Sequence, residues 1–379
     1  MDASGFSRKK LIFRFIILIL SVIAGYNLSE FVLKQMAYRK LKEACSIQQF
    51  FEADKILGWK GRNNAKGWFK EKEVSRISFV SLNSRGFRGE DFHYHRRKKH
   101  RLVILGDSFT WGYGVNQDEM MSRYLKELLG KDWEIINLSV FGYSTDQELI
   151  LLEREGIKYK PDLVLLFFFT GNDFGDNSKD KVYNRYKPFF ELEKDKKLLQ
   201  KSKFSRLSWK RRISTSLKES SYTYLLLRKL LGRDDTKNLS EITSLNFTDD
   251  FTDYNISLSF QIIKRMNEFL AKKKTRFLVI IVPTQEQVYS WSAPFFPKQY
   301  GRFNMNKLFH GNNELKRMLK EEKINCIDLT EPLQTLSIDY AKEKKKRFVY
   351  NIGDLHWSVL GNKEVANLLE VEIKRLINN

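Results

Sequence analysis

The chain has 379 residues, 42% of them hydrophobic and 14% aromatic, with 67 Lys+Arg against 46 Asp+Glu for a net charge of +21. That is too apolar for a disordered chain, and long enough for one large domain or two smaller ones. Two cysteines, Cys45 and Cys326, with no CxxC, exclude a disulfide scaffold and a Cys-rich zinc module.

Leu11 to Tyr26 reads LIFRFIILILSVIAGY, with Arg14 as its only charge. Asn27, Leu28 and Ser29 extend it to 19 residues, within spanning length. Arg14, near the start, snorkels to the interface in such a span. Arg8, Lys9 and Lys10 form the charged region that precedes a secretory signal or a signal anchor. An uncleaved single-pass anchor is the favoured reading, ahead of a signal cleaved after Val22-Ile23-Ala24 and of a buried core helix. Basic residues also follow the run, at Lys34, Arg39, Lys40 and Lys42, so the charge count sets orientation weakly. The short basic tail favours a cytoplasmic N-terminus with the rest of the chain outside. The expected organisation is an anchor at 1–33, a juxtamembrane segment with a small β appendage at 34–99, and a main domain at 100–379. The appendage is read from the glycines between Gly58 and Gly89 and from the strand-like VSRISFVSL at 74–82.

Five short runs, apolar on both faces, predict buried parallel strands: 101–105, 133–138, 162–169, 276–282 and 324–329. Between and after them, apolar residues at three-to-four spacing predict helices over 118–129, 145–157, 254–273, 313–322 and 358–377. Thr145 with Glu148 reads as a capping box. Strands alternating with helices predict a flavodoxin-like three-layer α/β/α sandwich, with ligands at the C-terminal strand ends. Residues 177–253 interrupt this alternation. Within them, 188–193 and 197–199 predict a hairpin and 221–231 a helix. An insertion of this length suggests a lid over the active face.

Three strand-end features carry chemistry. Gly106-Asp107-Ser108 follows the first strand, where a serine before a helix faces backbone N–H groups. Asn137-Leu-Ser-Val-Phe-Gly142 follows the second, and Gly171-Asn172-Asp173 the third. A developing oxyanion needs two or three preorganised donors, which the N–H of Ser108, the N–H of Gly142 and the amide of Asn172 would supply. Near the other end stands Asp354-Leu355-His356-Trp357. Of five histidines, His93, His95 and His100 lie in a basic run and His310 beside a loop-like Gly-Asn-Asn; His356 alone has an aspartate two residues before it. A serine hydroxyl needs a base poised near neutral pH, and a carboxylate holds that base's tautomer. Taken singly, each feature also reads as an ordinary turn or helix cap.

Together, in this chain order, these blocks resemble the SGNH hydrolases, or GDSL esterase/lipase superfamily, from about Arg101 to the end. GDSFTWGYGV, NLSVFGYSTDQE and the upstream NSRGFRG at 83–89 are similar to a bacterial, membrane-anchored subgroup. The resemblance implies a cofactor-free, metal-free acyl-ester hydrolase with Ser108 as nucleophile, His356 as base and Asp354 as its orienting group. Ser108, Gly142 and Asn172 would form the oxyanion hole. The last block reads Asp-x-His where Asp-x-x-His is usual, so a backbone carbonyl is the alternative orienting group. Asp107, Asp173, Asp176 and Asp354 could instead hold Mg²⁺, though carboxylates in such turns are more often structural.

The expected substrate is an acyl ester on an envelope polysaccharide, glycolipid or lipid, with hydrolysis or acyl transfer as the outcome. A non-catalytic envelope-binding module on the same scaffold is the alternative. Nucleic acid is not an expected partner, because no binding motif accompanies the charge. The basicity is concentrated: residues 179–237 hold 18 Lys+Arg against 7 Asp+Glu, and residues 1–43 hold 8 against 3. Anionic lipid or envelope polymer suits such patches.

Overall fold

The computed structural model describes residues 3–40, 47–69, 76–183, 185–193, 195, 197–202, 221–231, 250–292, 305–343, 348–351 and 355–378. The chain divides into two compact units, one of residues 1–45 with 208–242 and one of residues 46–207 with 243–379.

In the larger unit, strands β1 (His100–Leu105), β2 (Trp133–Asn137), β3 (Leu163–Phe169), β4 (Arg276–Val282) and β5 (Cys326–Asp328) form one sheet in the order β2-β1-β3-β4-β5. Every neighbouring pair is parallel. Helices α1 (Met121–Leu129), α2 (Thr145–Arg154), α3 (Asp253–Lys272), α4 (His310–Glu321), α5 (Thr330–Lys342) and α6 (Val359–Asn378) cover it. The period of two along each strand sorts the core into two layers. Leu102, Ile104, Leu165, Phe167, Leu278 and Ile280 pack with α1, α5 and α6. Val103, Leu105, Val164, Leu166, Phe168 and Val279 pack with α2, α3 and α4. Each such side chain contributes about 1.5–3 kcal/mol on full burial, which is why strands apolar on both faces settle between two helix layers. This is the three-layer sandwich expected from the sequence, with the order of a doubly wound fold.

Three local expectations change. The capping box at the start of α2 joins Ser144 to Gln147, one residue earlier than Thr145 and Glu148. Glu148 is instead buried. His310 opens α4 rather than lying in a loop. Helix α5 was not expected, although Leu333, Leu336 and Tyr340 have helical spacing; Pro332 sits in its first turn, where a missing N–H is harmless.

The β appendage is present as two antiparallel pairs, Phe51–Asp54 with Gly58–Gly61 and Lys66–Phe69 with Ser78–Ser81. It is stitched to the turn after β2. Trp59 Nε1 donates to the Phe141 carbonyl at 2.9 Å, and the Tyr143 hydroxyl donates to the Trp59 carbonyl. The hairpin expected near residue 190 pairs Pro188–Leu192 with Leu198–Ser202.

In the smaller unit, helix Ala3–Lys40 contains a 22-residue stretch, Ile12–Leu33, of mean hydropathy 2.0 and with none of it buried. By length and composition it suffices to cross a membrane. Helix Tyr222–Leu230, the helix expected in the insertion, is tied to it by polar contacts. The Tyr26 hydroxyl donates to Ser221 Oγ at 2.7 Å, and the Glu30 carboxylate accepts from Ser221 Oγ and the Thr223 N–H, each at 3.0 Å.

Candidate active site

β1 ends in a turn that leaves no room for side chains. A Cβ at Gly106 would come within 2.3 Å of Thr110 Oγ1. Asp107 then caps the one-turn helix Ser108–Trp111, its Oδ1 accepting the Phe109 N–H at 2.9 Å. Gly112 ends that turn in the left-handed region, at φ 85°. Arg88, from the upstream NSRGFRG segment, secures the same loop. Its buried guanidinium donates to the carbonyls of Trp111 at 3.1 Å, Val115 at 2.6 Å and Gly112. The resemblance picked out that segment without giving it a role.

His356 reaches Ser108 from the loop before α6. Its Nε2 lies 2.8 Å from Ser108 Oγ. The loop is clasped on both sides: Asn351 N–H donates to the His356 carbonyl at 2.7 Å, Ser358 N–H donates to the Val349 carbonyl at 2.9 Å, and Tyr350 bridges Trp357. Leu355 enters it in the left-handed region, at φ 65°, a conformation that strains a side chain with a Cβ by about 1–2 kcal/mol. Asp354 lies outside the described residues.

Because β2 and β3 flank β1, the turns carrying Gly142 and Asn172 follow the strands on either side of the one that leads to Ser108. Gly142 has φ 75°, and a Cβ there would meet the Tyr183 ring at 2.8 Å. Among the described residues, the N–H groups of Ser108 and Gly142 and the side-chain amide of Asn172 make no hydrogen bond. The structure thus brings Ser108 and His356 into contact and sets Gly142 and Asn172 on the neighbouring strand ends.

The carboxyls of Asp107 and Asp173, which the sequence reading singled out, are joined under this edge by Asp146 and Glu148, whose burial it did not anticipate. Asp107, Asp146, Glu148 and Asp173 are all buried. Asp146 pairs with buried Lys187, whereas both oxygens of Glu148 and Oδ1 of Asp173 have no hydrogen-bond partner. Burial pushes the Asp107 carboxyl up to about 6, against lowering by the Phe109 N–H and by His356. Burial, and then the neighbouring Asp173, raises Glu148 well above the usual range; burial, and then Asp107, does the same to Asp173. The signal in the sequence was an acid beside each strand-end turn. Among the described residues, no three His, Cys, Asp or Glu side chains are placed to hold a metal ion.

A doubly wound parallel sheet with a Ser–His pair at its C-terminal edge is an arrangement found in serine hydrolases. Residues 104–363 match the GDSL-like Lipase/Acylhydrolase family, and the chain belongs to it. It is a carboxylic-ester hydrolase by that membership. Among solved structures, it is similar to the acetyl xylan esterase AlAXEase at 13% identity and a TM-score of 0.41, over 72% of this chain and 99% of that one. It is also similar to a GDSL-like lipase from Bacteroides thetaiotaomicron, at 13% identity and a TM-score of 0.40, over 75% and 93% of the two chains. Esterase EstA from Pseudoalteromonas sp. matches at 12% identity and a TM-score of 0.39, over 74% and 100%. No curated protein matches the chain.

Proposed function

We propose that the protein is a membrane-tethered serine esterase acting outside the cytoplasm on acyl esters of envelope carbohydrate or lipid. The 2.8 Å approach of His356 Nε2 to Ser108 Oγ carries the reading. Ser108 Oγ attacks the ester carbonyl carbon while His356 takes the hydroxyl proton. Asp354 orients the ring from two residues before it. The tetrahedral oxyanion is held by the N–H groups of Ser108 and Gly142 and the amide of Asn172. Collapse breaks the bond to the alcohol, which leaves with the proton from His356. Water then attacks the acyl-serine with His356 again as base, releasing the acid and restoring Ser108. A sugar hydroxyl in place of that water gives acyl transfer through the same residues.

The 22-residue apolar stretch supports the tether, with the N-terminus in the cytoplasm, residues 1–33 as anchor, 34–99 as juxtamembrane segment and appendage, and 100–379 as the hydrolase domain with its insertion near 177–253. An envelope substrate follows from that location.

A fluorophosphonate probe tests the chemistry. Wild type is expected to be labelled and Ser108→Ala not; absence of label on wild type, or equal label on both, sinks the esterase mechanism. Hydrolysis of p-nitrophenyl esters of increasing chain length by the same two proteins reads the acyl preference. Extraction of cell membranes with alkaline carbonate tests the anchor, which is expected to keep the protein in the pellet.

A further inference from the structure

The His356 ring is walled by two aromatic side chains from the nucleophile's own segment. Tyr113 stacks on it with centroids 4.2 Å and planes 28° apart. Phe109 lies 4.9 Å away, tilted by 40°. The backbone brings them there. Phe109 directly follows Ser108, and the chain turns at Gly112 so that Tyr113 N–H donates to the Ser108 carbonyl at 3.0 Å. Tyr113 is itself held in place. Phe141 stacks on it at 5.4 Å and 24°, Phe69 meets it edge-on at 5.1 Å, and it is 5% exposed.

We propose that Tyr113 is a positioning residue of the reaction. Its ring face holds the His356 imidazole square to Ser108 Oγ and stabilises the imidazolium that forms as the serine loses its proton. This rests on Ser108 being the nucleophile and His356 its base. The face of an aromatic ring carries a negative quadrupole and attracts a cation laid over it, most strongly away from water. A neutral imidazole gains less from it. The contact is therefore stronger in the transition state than in the ground state, and it acts on kcat rather than on KM. Phenylalanine keeps that face; leucine keeps only bulk.

The test compares Tyr113→Phe and Tyr113→Leu in the full chain, with Tyr113→Met replacing the leucine variant should it not fold. Tyr113→Phe is expected to stay within about twofold of wild type in kcat on a p-nitrophenyl ester. The aliphatic variant is expected to lose about tenfold in kcat, the equivalent of ~1.4 kcal/mol, with KM little changed. The acid limb of its pH–rate profile moves to lower pH, because the imidazolium has lost a stabilising partner. A folded aliphatic variant with wild-type kcat and an unmoved acid limb overturns the proposal, as does a phenylalanine variant as impaired as the aliphatic one. Fluorophosphonate labelling run alongside separates the two failures. Unlabelled wild type sinks the nucleophile assignment and Tyr113's role with it; labelled wild type beside an indifferent aliphatic variant sinks only the role of Tyr113.

Discussion

At the scale of single residues, the site depends on positions that tolerate only one side chain. Gly142 combines φ 75° with a Tyr183 ring carbon 2.8 Å from where a Cβ would sit. If its N–H holds the oxyanion as proposed, Gly142→Ala is expected to displace that donor and lower kcat by about 10²-fold or more on a p-nitrophenyl ester, with the loss larger in kcat than in KM. Asp107 sets a pH dependence. The unfolded chain ionises it near pH 4, while the fold keeps it protonated up to about 6. The folded state thus holds the extra proton between those values, and stability falls as pH rises across that window, by on the order of 3 kcal/mol. Melting temperature is expected to drop from pH 4 toward pH 6 and to go on falling above it as the still more strongly raised Glu148 and Asp173 lose their protons, with the part of the drop between pH 4 and 6 smaller in Asp107→Asn, whose side-chain oxygen still accepts the Phe109 N–H. Ser108 and His356 were legible because each stands beside a strand end or a turn that motif and periodicity locate together. The stacking of Tyr113 was not, since it depends on a ring that arrives from residue 356. Nor was the burial of Glu148, because an acid three residues into a helix reads as a cap until the neighbouring layer covers it.

At the scale of elements, the sheet was readable because parallel strands buried on both faces leave apolar runs with no polar interruption. Its bounds moved by one or two residues only; β5 is shorter than INCIDL suggested, pairing over Cys326–Asp328. The role of the segment before β1 was not readable. Arg88 works through three carbonyls of the loop that follows the nucleophile, and backbone acceptors carry no sequence signal. Arg88→Met removes those donors and leaves the Trp111 and Val115 carbonyls without their partner, while Gly112 keeps the Val115 N–H, at about 1–3 kcal/mol for each group left unpaired. Urea unfolding is expected to show a loss of a few kcal/mol. Fluorophosphonate labelling of the fraction still folded is expected to slow as well, since the same loop carries Tyr113 back to the serine.

At the scale of the whole chain, charge and hydropathy separate into different stretches. The apolar side chains of Ile12–Leu33 are unburied, and about half of the excess positive charge lies in residues 179–237 with a further share in residues 1–43, so the rest of the chain contributes little of the basicity. Exchanging six of the lysines and arginines between 197 and 218 for glutamine is expected to weaken binding of an anchorless form, residues 34–379, to vesicles containing anionic lipid. The salt dependence of that binding should flatten, while p-nitrophenyl ester hydrolysis stays unchanged. Flotation at two ionic strengths reads both effects.

The clasp around His356 has a consequence for how the base is held. Its hydrogen bonds join Asn351 to His356 and Val349 to Ser358, so they grip the chain outside the short arc that contains position 354. The base is thereby carried by main-chain hydrogen bonds on both sides, so its place beside Ser108 is written in backbone rather than in the side chain of any one neighbour.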